Sequence, residues 1–348
     1  MRKEKYGFGI IGCGVISPIH AQAIQSIPNA ELKAVCDLDA GKAQALAGRF
    51  HCDWATEYPA LLERADIDVV HVLTWSGTHA DIGMDAARAG KHIVVTKPVD
   101  IRLEKIDALI QVCREHGVKL AVTHQFRSYP VYRQLKEAID SGHFGRLILG
   151  NAFVKWWRDQ DYYDSASWRG TWEYDGGCLM NQSIHYVDLL LWLMGPVDHV
   201  SGFTDTRSHK MEAEDVATAC VHFNNGAQGI IQGTTSAFQG LPARLEIHGE
   251  RGNAIVEGEK LIYCDAAGGC LVAGKGGTHT AASSARANLA AAVPAHAEQI
   301  ADLIAAIEED RAPLIPGEEA RKSVELVLAI YRAAHTDGQI SLPLGSLL

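Results

Sequence analysis

Several features that would assign the chain to a membrane, secreted or metal-binding class are missing from its sequence. No window approaches the ~20 apolar residues that a membrane span needs. The eight cysteines include no Cys-x-x-Cys pair, and several, such as Cys220 in ACVHF, lie in apolar runs. We therefore expect buried reduced thiols and neither disulfides nor zinc ligands. The 16 histidines show no His-Glu-x-x-His spacing, and nothing in the sequence supports a bound metal. No internal repeat is visible.

Basic residues are also in the minority. The formal net charge is −10 and the sequence pI is near 5.9, which argues against a nucleic-acid partner because phosphate binding requires a basic face. Hydrophobic residues at 47% and charged residues at 21% are typical of a soluble globular protein. The N-terminus MRKEKYGFGIIGCG is similar to the start of a signal peptide, but early glycines interrupt its apolar run and no small-residue cleavage site follows. We expect a first strand in a cytoplasmic protein.

Short β-branched runs alternate with helical patterns in the N-terminal third. Runs such as GFGIIG, ELKAVCD, DVVHVLTW, HIVVTKP and KLAVTH are separated by amphipathic stretches that end at glycine or proline. This alternation with short connections predicts βαβ units and a doubly wound parallel sheet, hence an α/β fold. A chain of 348 residues is too long for one ordinary core, and we place a first domain at residues 1–123.

The pattern changes after His124. Strand-like segments follow one another from His199 to Cys264, and turns such as NNG and ERGN predict hairpins in a mostly antiparallel open sheet. Residues 265–293 are rich in glycine, alanine and serine and predict a long mobile loop, followed by helices around 294–310 and 317–334. Residues 124–348 thus form a predicted α+β domain for substrate binding and oligomerisation, because an exposed sheet face favours a homodimer or homotetramer.

A glycine-rich turn follows the first strand. GCGVIS places Gly12 and Gly14 in the first two positions of a G-x-G-x-x-G fingerprint and Ser17 in the third, between a strand and a helix. Such a turn lets the backbone approach a pyrophosphate at the helix N-terminus, and the alternative is a glycine turn without a ligand. Asp37, 23 residues after Gly14 (37 − 14), would accept the ribose hydroxyls and repel a 2′-phosphate, which favours NAD over NADP. The predicted cofactor-binding positions here are Gly12, Gly14, Val15, Ile16 and Asp37.

Two further strand ends are informative, because the ligand of a doubly wound sheet lies beyond the carboxyl ends of its strands. DVVHVLTWSGTH carries Thr74, Trp75 and His79 where a nicotinamide ribose would pass. HIVVTKP ends in Lys97, and burying an unpaired ammonium is costly, so we expect a lowered pKa suited to proton transfer near neutral pH. The alternative for Lys97 is a surface lysine just beyond the strand.

The stretch DGGCLMNQSIHYVD, residues 175–188, leads into the apolar run LLLWLMG. Asn181, His185 and Asp188 are spaced i, i+4 and i+7 and would share one face of an α-helix. That face is either catalytic or the polar side of a capped core helix.

With GCGVIS, the acidic end of the second strand, TKP and DGGCLMNQSIHYVD, the chain resembles the glucose–fructose oxidoreductase / inositol dehydrogenase / rhizopine-catabolism (Gfo/Idh/MocA) family over essentially its full length. The resemblance implies an NAD-binding Rossmann domain and an α+β domain. It also implies reversible oxidation, by hydride transfer, of a secondary alcohol on a sugar, cyclitol or sugar-nucleotide ring. By that resemblance Lys97 would contact the reacting hydroxyl and the cofactor, His185 would exchange the hydroxyl proton, and Asn181 would hold the substrate. Asp188 would orient His185 or form a salt bridge on the helix face.

Two departures from the family pattern matter for these roles. Thr96 stands where relatives usually have a glutamate before the lysine. Threonine has no carboxylate, so a contact of that glutamate with the cofactor or the lysine does not carry over to this chain. Asn181 stands where relatives often have a carboxylate, and an amide can orient a hydroxyl but cannot act as a base. Proton transfer therefore falls to His185, whose unperturbed pKa suits a base.

The segment KWWRDQDYYDSASWRGTWEYD supplies aromatic and guanidinium groups just before the glycine pair, and carbohydrate binding would use both. Packing at a domain or subunit interface is the alternative for the aromatic residues. The predicted substrate-binding positions are Gln125, Arg127, Trp157, Arg158, Trp168, Arg169, Trp172, Asn181 and His185, with Lys155, Tyr163 and His124 as further candidates.

Two other functions of the same fold stay open. Some relatives cleave glycosidic bonds by transient oxidation with NAD used catalytically, and a few bind the dinucleotide as non-enzymatic regulators. The presence of Lys97 and His185 disfavours the second of these.

Overall fold

The computed structural model describes residues 3–267 and 292–345, and these form two compact units. The first unit comprises the chain up to Gln125 together with residues 292–321, and the second comprises residues 126–267 and 322–345. Our domain prediction assigns the segment 292–321 to the second domain, whereas the structure groups it with the first. Most of the mobile loop expected at 265–293 lies outside the described residues. In the two described ranges, no helix is long and apolar enough to cross a membrane.

The first unit is a parallel sheet with helical connections. Its strands are β1 (Tyr6–Ile11), β2 (Ala30–Cys36), β3 (Asp53–Ala55), β4 (Val69–Val72), β5 (His92–Thr96) and β6 (Leu120–Thr123). Its helices are α1 (Ser17–Gln25), α2 (Ala40–Phe50), α3 (Pro59–Leu62), α4 (His79–Arg88), α5 (Leu103–Glu115) and α9 (Val293–Glu308). The strand order β3-β2-β1-β4-β5-β6 confirms the predicted doubly wound sheet.

Apolar burial on both faces holds this sheet together. Every residue of β1 and β4 is buried, as expected for a parallel sheet covered by helices. Phe8 on β1, Ile24 on α1 and Ile300 on α9 belong to one core, which explains why the segment 292–321 joins the first unit.

The second unit is built on an eight-stranded sheet. Its strands are β7 (Leu147–Lys155), β8 (Val197–Asp205), β9 (Val216–Phe223), β10 (Gln228–Thr234), β11 (Arg244–Gly249), β12 (Gly252–Glu257), β13 (Lys260–Ala266) and β14 (Ile340–Ser341). Its helices are α6 (Pro130–Asp140), α7 (Gln160–Asp164), α8 (Ile184–Met194) and α10 (Gly317–Thr336), whose first turn belongs to the first unit. The order is β13-β12-β11-β7-β10-β9-β8-β14, and only β7 and β10 pair in parallel among these strands. The predicted mostly antiparallel sheet is confirmed.

Two expectations about this unit are wrong in detail. We predict one α-helix through DGGCLMNQSIHYVD, but Cys178–Ser183 forms a π-helix that continues into α8. The wider π turn changes the relative direction of Asn181 and His185, so the α-helical spacing argument does not hold between them. Cys220 is exposed, because the alternation along β9 turns it away from the core. The seven described cysteines are free thiols.

Candidate active site

In the turn after β1, the backbone at Gly12 passes close to the backbone at Leu73. Gly12 has φ +99, and a Cβ there would lie 2.6 Å from the carbonyl oxygen of Leu73. Only glycine tolerates both conditions. A Cβ on Gly14, in contrast, would meet nothing within 4 Å, so open space lies in front of the N-terminus of α1. This space beside a helix N-terminus fits a pyrophosphate. The Ser17 hydroxyl donates to the Gly14 carbonyl oxygen at 2.7 Å and closes the turn.

Asp37 lies at the carboxyl end of β2 with its carboxylate held by the backbone. It accepts hydrogen bonds from the amides of Cys13 at 2.8 Å and Asp39 at 2.9 Å. The neighbouring apolar side chains of Val15 and Leu38 are 71% and 80% exposed. The Asp37 carboxylate, held by hydrogen bonds, and the exposed apolar side chains beside it are suited to bind the adenosine half of NAD.

The ends of β4 and β5 are joined by a buried imidazole. His79 Nδ1 lies 2.8 Å from the carbonyl oxygen of Pro98, and its Nε2 lies 3.1 Å from that of Thr74. Burial lowers the pKa of His79 to about 4, and the positive charge of Lys97 acts in the same direction. Lys97 thus lies near a neutral imidazole at the strand end, half-buried. Trp75 is 41% exposed beside them.

In the second unit, Asn181 lies in a network of polar side chains. Its Nδ2 donates to Asp175, and its Oδ1 accepts from Gln182 Nε2 at 2.8 Å. Gln182 also accepts from Arg158 Nη2 at 2.7 Å and donates to the Tyr162 hydroxyl at 3.1 Å. The amide of Asn181 is therefore oriented by its neighbours on both sides.

Two arginines meet at the ring of Tyr162. The Arg169 guanidinium lies 4.2 Å from the ring centroid and donates to the hydroxyl at 2.7 Å, and Arg158 lies 5.2 Å from the same centroid. The Arg169 guanidinium also lies 4.6 Å from the ring centroid of Trp168. Among the described residues, neither arginine pairs with a carboxylate; their partners are neutral oxygens.

His185 and Asp188 lie on α8 and are both buried. The imidazole of His185 stacks on Phe126 with ring centroids 4.6 Å apart. Asp188 forms a bidentate ion pair with Arg127, with distances of 2.8 Å and 2.6 Å. Arg127 is 6% exposed, so this pair lies in the interior of the unit.

The other sequence-predicted positions have packing contacts. Trp172 packs edge to face on Tyr331, with ring centroids 5.2 Å apart, and Trp157 packs in the same way on Phe238 at 5.4 Å. The Tyr163 hydroxyl bonds with Thr235 in the interior. His124, considered for substrate binding, is 1% exposed, and its carbonyl accepts from Gln299. Lys155 lies over the ring of Phe153, and Gln125 begins the short 3-10 helix Gln125–Ser128.

Sequence reasoning missed several members of the network around Asn181. Gln182 and Tyr162 connect Asn181 to the two arginines, Asp175 accepts from Asn181, and Glu214 lies against Gly177 at the start of the π-helix. Asp175 and Gln182 lie within DGGCLMNQSIHYVD, and their position in this motif was the available signal. Glu214 is distant in sequence and left none.

One group of possible metal ligands occurs in the described ranges, Asp198, His199 and His222. The two imidazoles are stacked at 4.6 Å with planes 7° apart. The Nδ1 atoms of His199 and His222 lie 2.9 Å and 3.7 Å from Asp198 Oδ2, so contact with this carboxylate accounts for the group and we assign no metal to it.

Family models match both parts of the chain. Residues 6–124 match the oxidoreductase family with an NAD-binding Rossmann fold (GFO_IDH_MocA), and residues 132–255 match the GFO/IDH/MocA C-terminal domain. The chain belongs to the Gfo/Idh/MocA family. This confirms the resemblance inferred from GCGVIS, TKP and the glycine-pair motif, and the chain is an NAD-dependent dehydrogenase.

Individual Gfo/Idh/MocA relatives support this assignment. The inositol 2-dehydrogenase of Rhizobium meliloti is 28% identical over 345 residues, 96% of this chain and 98% of that protein. The uncharacterized oxidoreductase YrbE of Bacillus subtilis is 30% identical over 258 residues, 72% of this chain and 74% of that protein. The WlbA dehydrogenase of Bordetella pertussis, solved in complex with NADH and UDP-GlcNAcA, superposes with a TM-score of 0.89 at 33% identity. The match covers 99% of this chain and 100% of that one.

Proposed function

We propose that this dehydrogenase oxidises a secondary alcohol on the ring of a sugar that carries an anionic group, such as a sugar nucleotide or a uronate. The observation that carries the proposal is the pair Arg158 and Arg169, whose described partners are all neutral, in a network with Asn181. Guanidinium groups without a carboxylate partner are suited to bind carboxylate or phosphate. The UDP-GlcNAcA complex of the WlbA relative supports the same class of substrate.

The proposed residue roles follow from chemical type. His185 accepts the hydroxyl proton, since a neutral imidazole has the basicity for this step. Lys97 stabilises the negative charge that develops on the substrate oxygen. Asn181, held by Asp175 and Gln182, orients a ring hydroxyl. When bound, NAD supplies the hydride acceptor. The turn at Gly12 and Gly14, together with Asp37, would hold it; Val15, Ile16, Thr74, Trp75 and His79 are the other proposed contacts.

The arginines orient the substrate and do not take part in proton transfer. Arg158 is fixed by Gln182 and Arg169 by Tyr162, so both guanidiniums are held before an anion arrives. Preorganised donors lose little conformational entropy on binding, which favours recognition of a planar carboxylate or a phosphate.

A turnover screen tests the proposed function. NADH formation is measured with NAD and with NADP against neutral monosaccharides, inositols, hexuronates and UDP-linked sugars and uronates. We expect the highest kcat/KM with NAD and an anionic sugar, and Arg169→Met should lower that value by about tenfold while hardly changing turnover of neutral sugars. Faster turnover of myo-inositol than of every anionic sugar would contradict the proposal. NADH that accumulates in the steady state separates a dehydrogenase from a glycosidase that uses NAD catalytically.

A further inference from the structure

We propose that Glu214 is a positioning residue for the reaction, and that its neutral form holds the Gly176–Gly177 turn and the start of the π-helix in the active geometry. The inference rests on the proposed roles of Asn181 and His185, which follow this turn in the chain. No motif in the sequence points to Glu214, and it does not touch the reacting groups. Its effect would be transmitted through the backbone.

The contacts of Glu214 are concentrated on the first residues of the π-helix. Its Oε1 accepts from the amide of Leu179 at 2.8 Å and from the Tyr331 hydroxyl at 2.9 Å. Its backbone carbonyl accepts from the amide of Cys178 at 2.8 Å. Amides at a helix start have no partner within the helix, so Glu214 provides the acceptors that two of them need.

The glycine pair makes this contact possible. A Cβ on Gly177 would overlap the carboxyl group of Glu214, so no larger residue fits at that position. The Gly177 carbonyl then accepts from the amide of Asn181 at 3.0 Å. Direct contacts thus lead from Glu214 to Gly177 and from Gly177 to Asn181.

The second carboxyl oxygen gives Glu214 a sensitivity to pH. Oε2 is buried and has no hydrogen-bond partner among the described residues. Burial raises the pKa of Glu214 to about 7, against the hydrogen bonds from Leu179 and Tyr331. The titratable groups that face it are the Cys178 thiol and the Tyr331 phenol, and Asp215 is its neighbour in the chain. None of these supplies a positive charge. Loss of the proton therefore leaves a buried charge beside Gly177, which should displace the turn.

The same carboxyl is linked to the substrate segment. The Tyr331 hydroxyl donates to Glu214, and the Tyr331 ring meets the Trp172 ring edge to face. The amide of Trp172 donates to Glu212 at 3.2 Å. A movement of Glu214 would therefore affect both the π-helix and the segment that contains Trp172.

The experiment compares wild type, Glu214→Gln and the control Glu250→Gln. Glutamine imitates the neutral acid, so kcat of Glu214→Gln and wild type should agree within about twofold near pH 6. Above about pH 8 the wild type should be at least ~3-fold slower, with a smaller change in KM. Glu250 is exposed in the same unit and pairs with Arg146 at the surface, so its variant should follow the wild-type profile. Parallel pH profiles of wild type and Glu214→Gln would overturn the proposal.

Thermal unfolding gives a readout that does not depend on turnover. The folded-state pKa of Glu214 lies above its ordinary value of 4.5, so the unfolded chain releases the proton first as pH rises. The Tm of wild type relative to Glu214→Gln should therefore fall by ~2 °C or more between about pH 5 and pH 8. If no substrate is turned over, the proposed function fails while this measurement still tests Glu214. A constant Tm difference would overturn the proposal.

Tyr331→Phe provides a second variant in case Glu214→Gln does not fold. Removing the phenol hydroxyl deletes a hydrogen bond that lowers the pKa of Glu214. The fall in kcat with pH should then move to higher pH. A fall that stays at the wild-type pH would contradict the role of Glu214.

Discussion

The two units hold their functional polar side chains in different ways. In the first unit the partners are mainly backbone groups. Asp37 accepts two amides, and Asp100 accepts the amides of Ala80, Ile101 and Arg102. His79 lies between two carbonyl oxygens. The buried pair His20 and His71 is an exception.

In the second unit the partners are mainly other side chains. Arg127 binds Asp188, Asn181 binds Asp175, and Tyr331 binds Glu214, at sequence separations of 61, 6 and 117 residues. A backbone partner is present whatever the neighbouring side chain is, whereas a side-chain partner is lost with one substitution. The cofactor site is therefore built on a framework that tolerates sequence change, and the proposed substrate site can change specificity through few residues.

The largest effect should come from one proposed catalytic residue in each unit. Lys97→Ala and His185→Ala should each lower kcat by ~10²–10⁴-fold, because each removes a proton-transfer or charge-stabilising group. NADH binding, followed by fluorescence titration, should stay within about threefold of wild type. Turnover close to wild type in both variants would contradict the proposed site.

A large stability effect should come from breaking the buried ion pair of the second unit. Asp188→Ala leaves the Arg127 guanidinium buried without its carboxylate, and we expect a loss of ~3–5 kcal/mol in the free energy of unfolding. The matched control is Asp205→Ala, which breaks an exposed pair with Arg207 and should cost about 1 kcal/mol or less. Denaturant unfolding measures both, and similar losses would remove the distinction between buried side-chain pairs and surface pairs.

Alanine substitutions at two glycines of the first unit should distinguish an effect of backbone strain on stability from an effect on cofactor binding. Gly12→Ala must overcome both a positive φ and the approach to Leu73, so we expect a loss of ~1–3 kcal/mol in stability together with weak NAD binding. Gly14→Ala meets open space and should keep its Tm within ~2 °C while weakening NAD about tenfold, since its methyl group would occupy the proposed phosphate space. Unchanged NAD affinity in Gly14→Ala would place the cofactor elsewhere.

The smallest effect concerns cofactor choice. Asp37→Ala should reduce the ratio of NAD to NADP efficiency by about tenfold, because it removes an acceptor for the ribose and a charge that repels a 2′-phosphate. Asp39, which caps α2 through the amides of Gly41 and Lys42, is the control. Asp39→Ala should cost ~1 kcal/mol in stability and leave the ratio unchanged. Equal ratios in wild type and Asp37→Ala would contradict the role of Asp37.

The first unit could be predicted from the sequence because its signals are local. GCGVIS, Asp37 and the β-branched runs are each short local patterns, and they were enough to predict the doubly wound parallel sheet and the cofactor. The second unit was predictable as a mostly antiparallel sheet but not in its polar network. Nothing near Glu214 in sequence indicates its contact with Gly177, and the π-helix depends on packing that periodicity does not report.

In the proposed reaction, NAD takes a hydride from a ring carbon of an anionic sugar. The most direct test uses the best substrate of the turnover screen with deuterium at the oxidised carbon, followed by mass spectrometry of the reduced cofactor. We predict NADH that carries one deuterium and accumulates with each turnover. NADH without deuterium, or no accumulation of NADH with any anionic sugar, would contradict it.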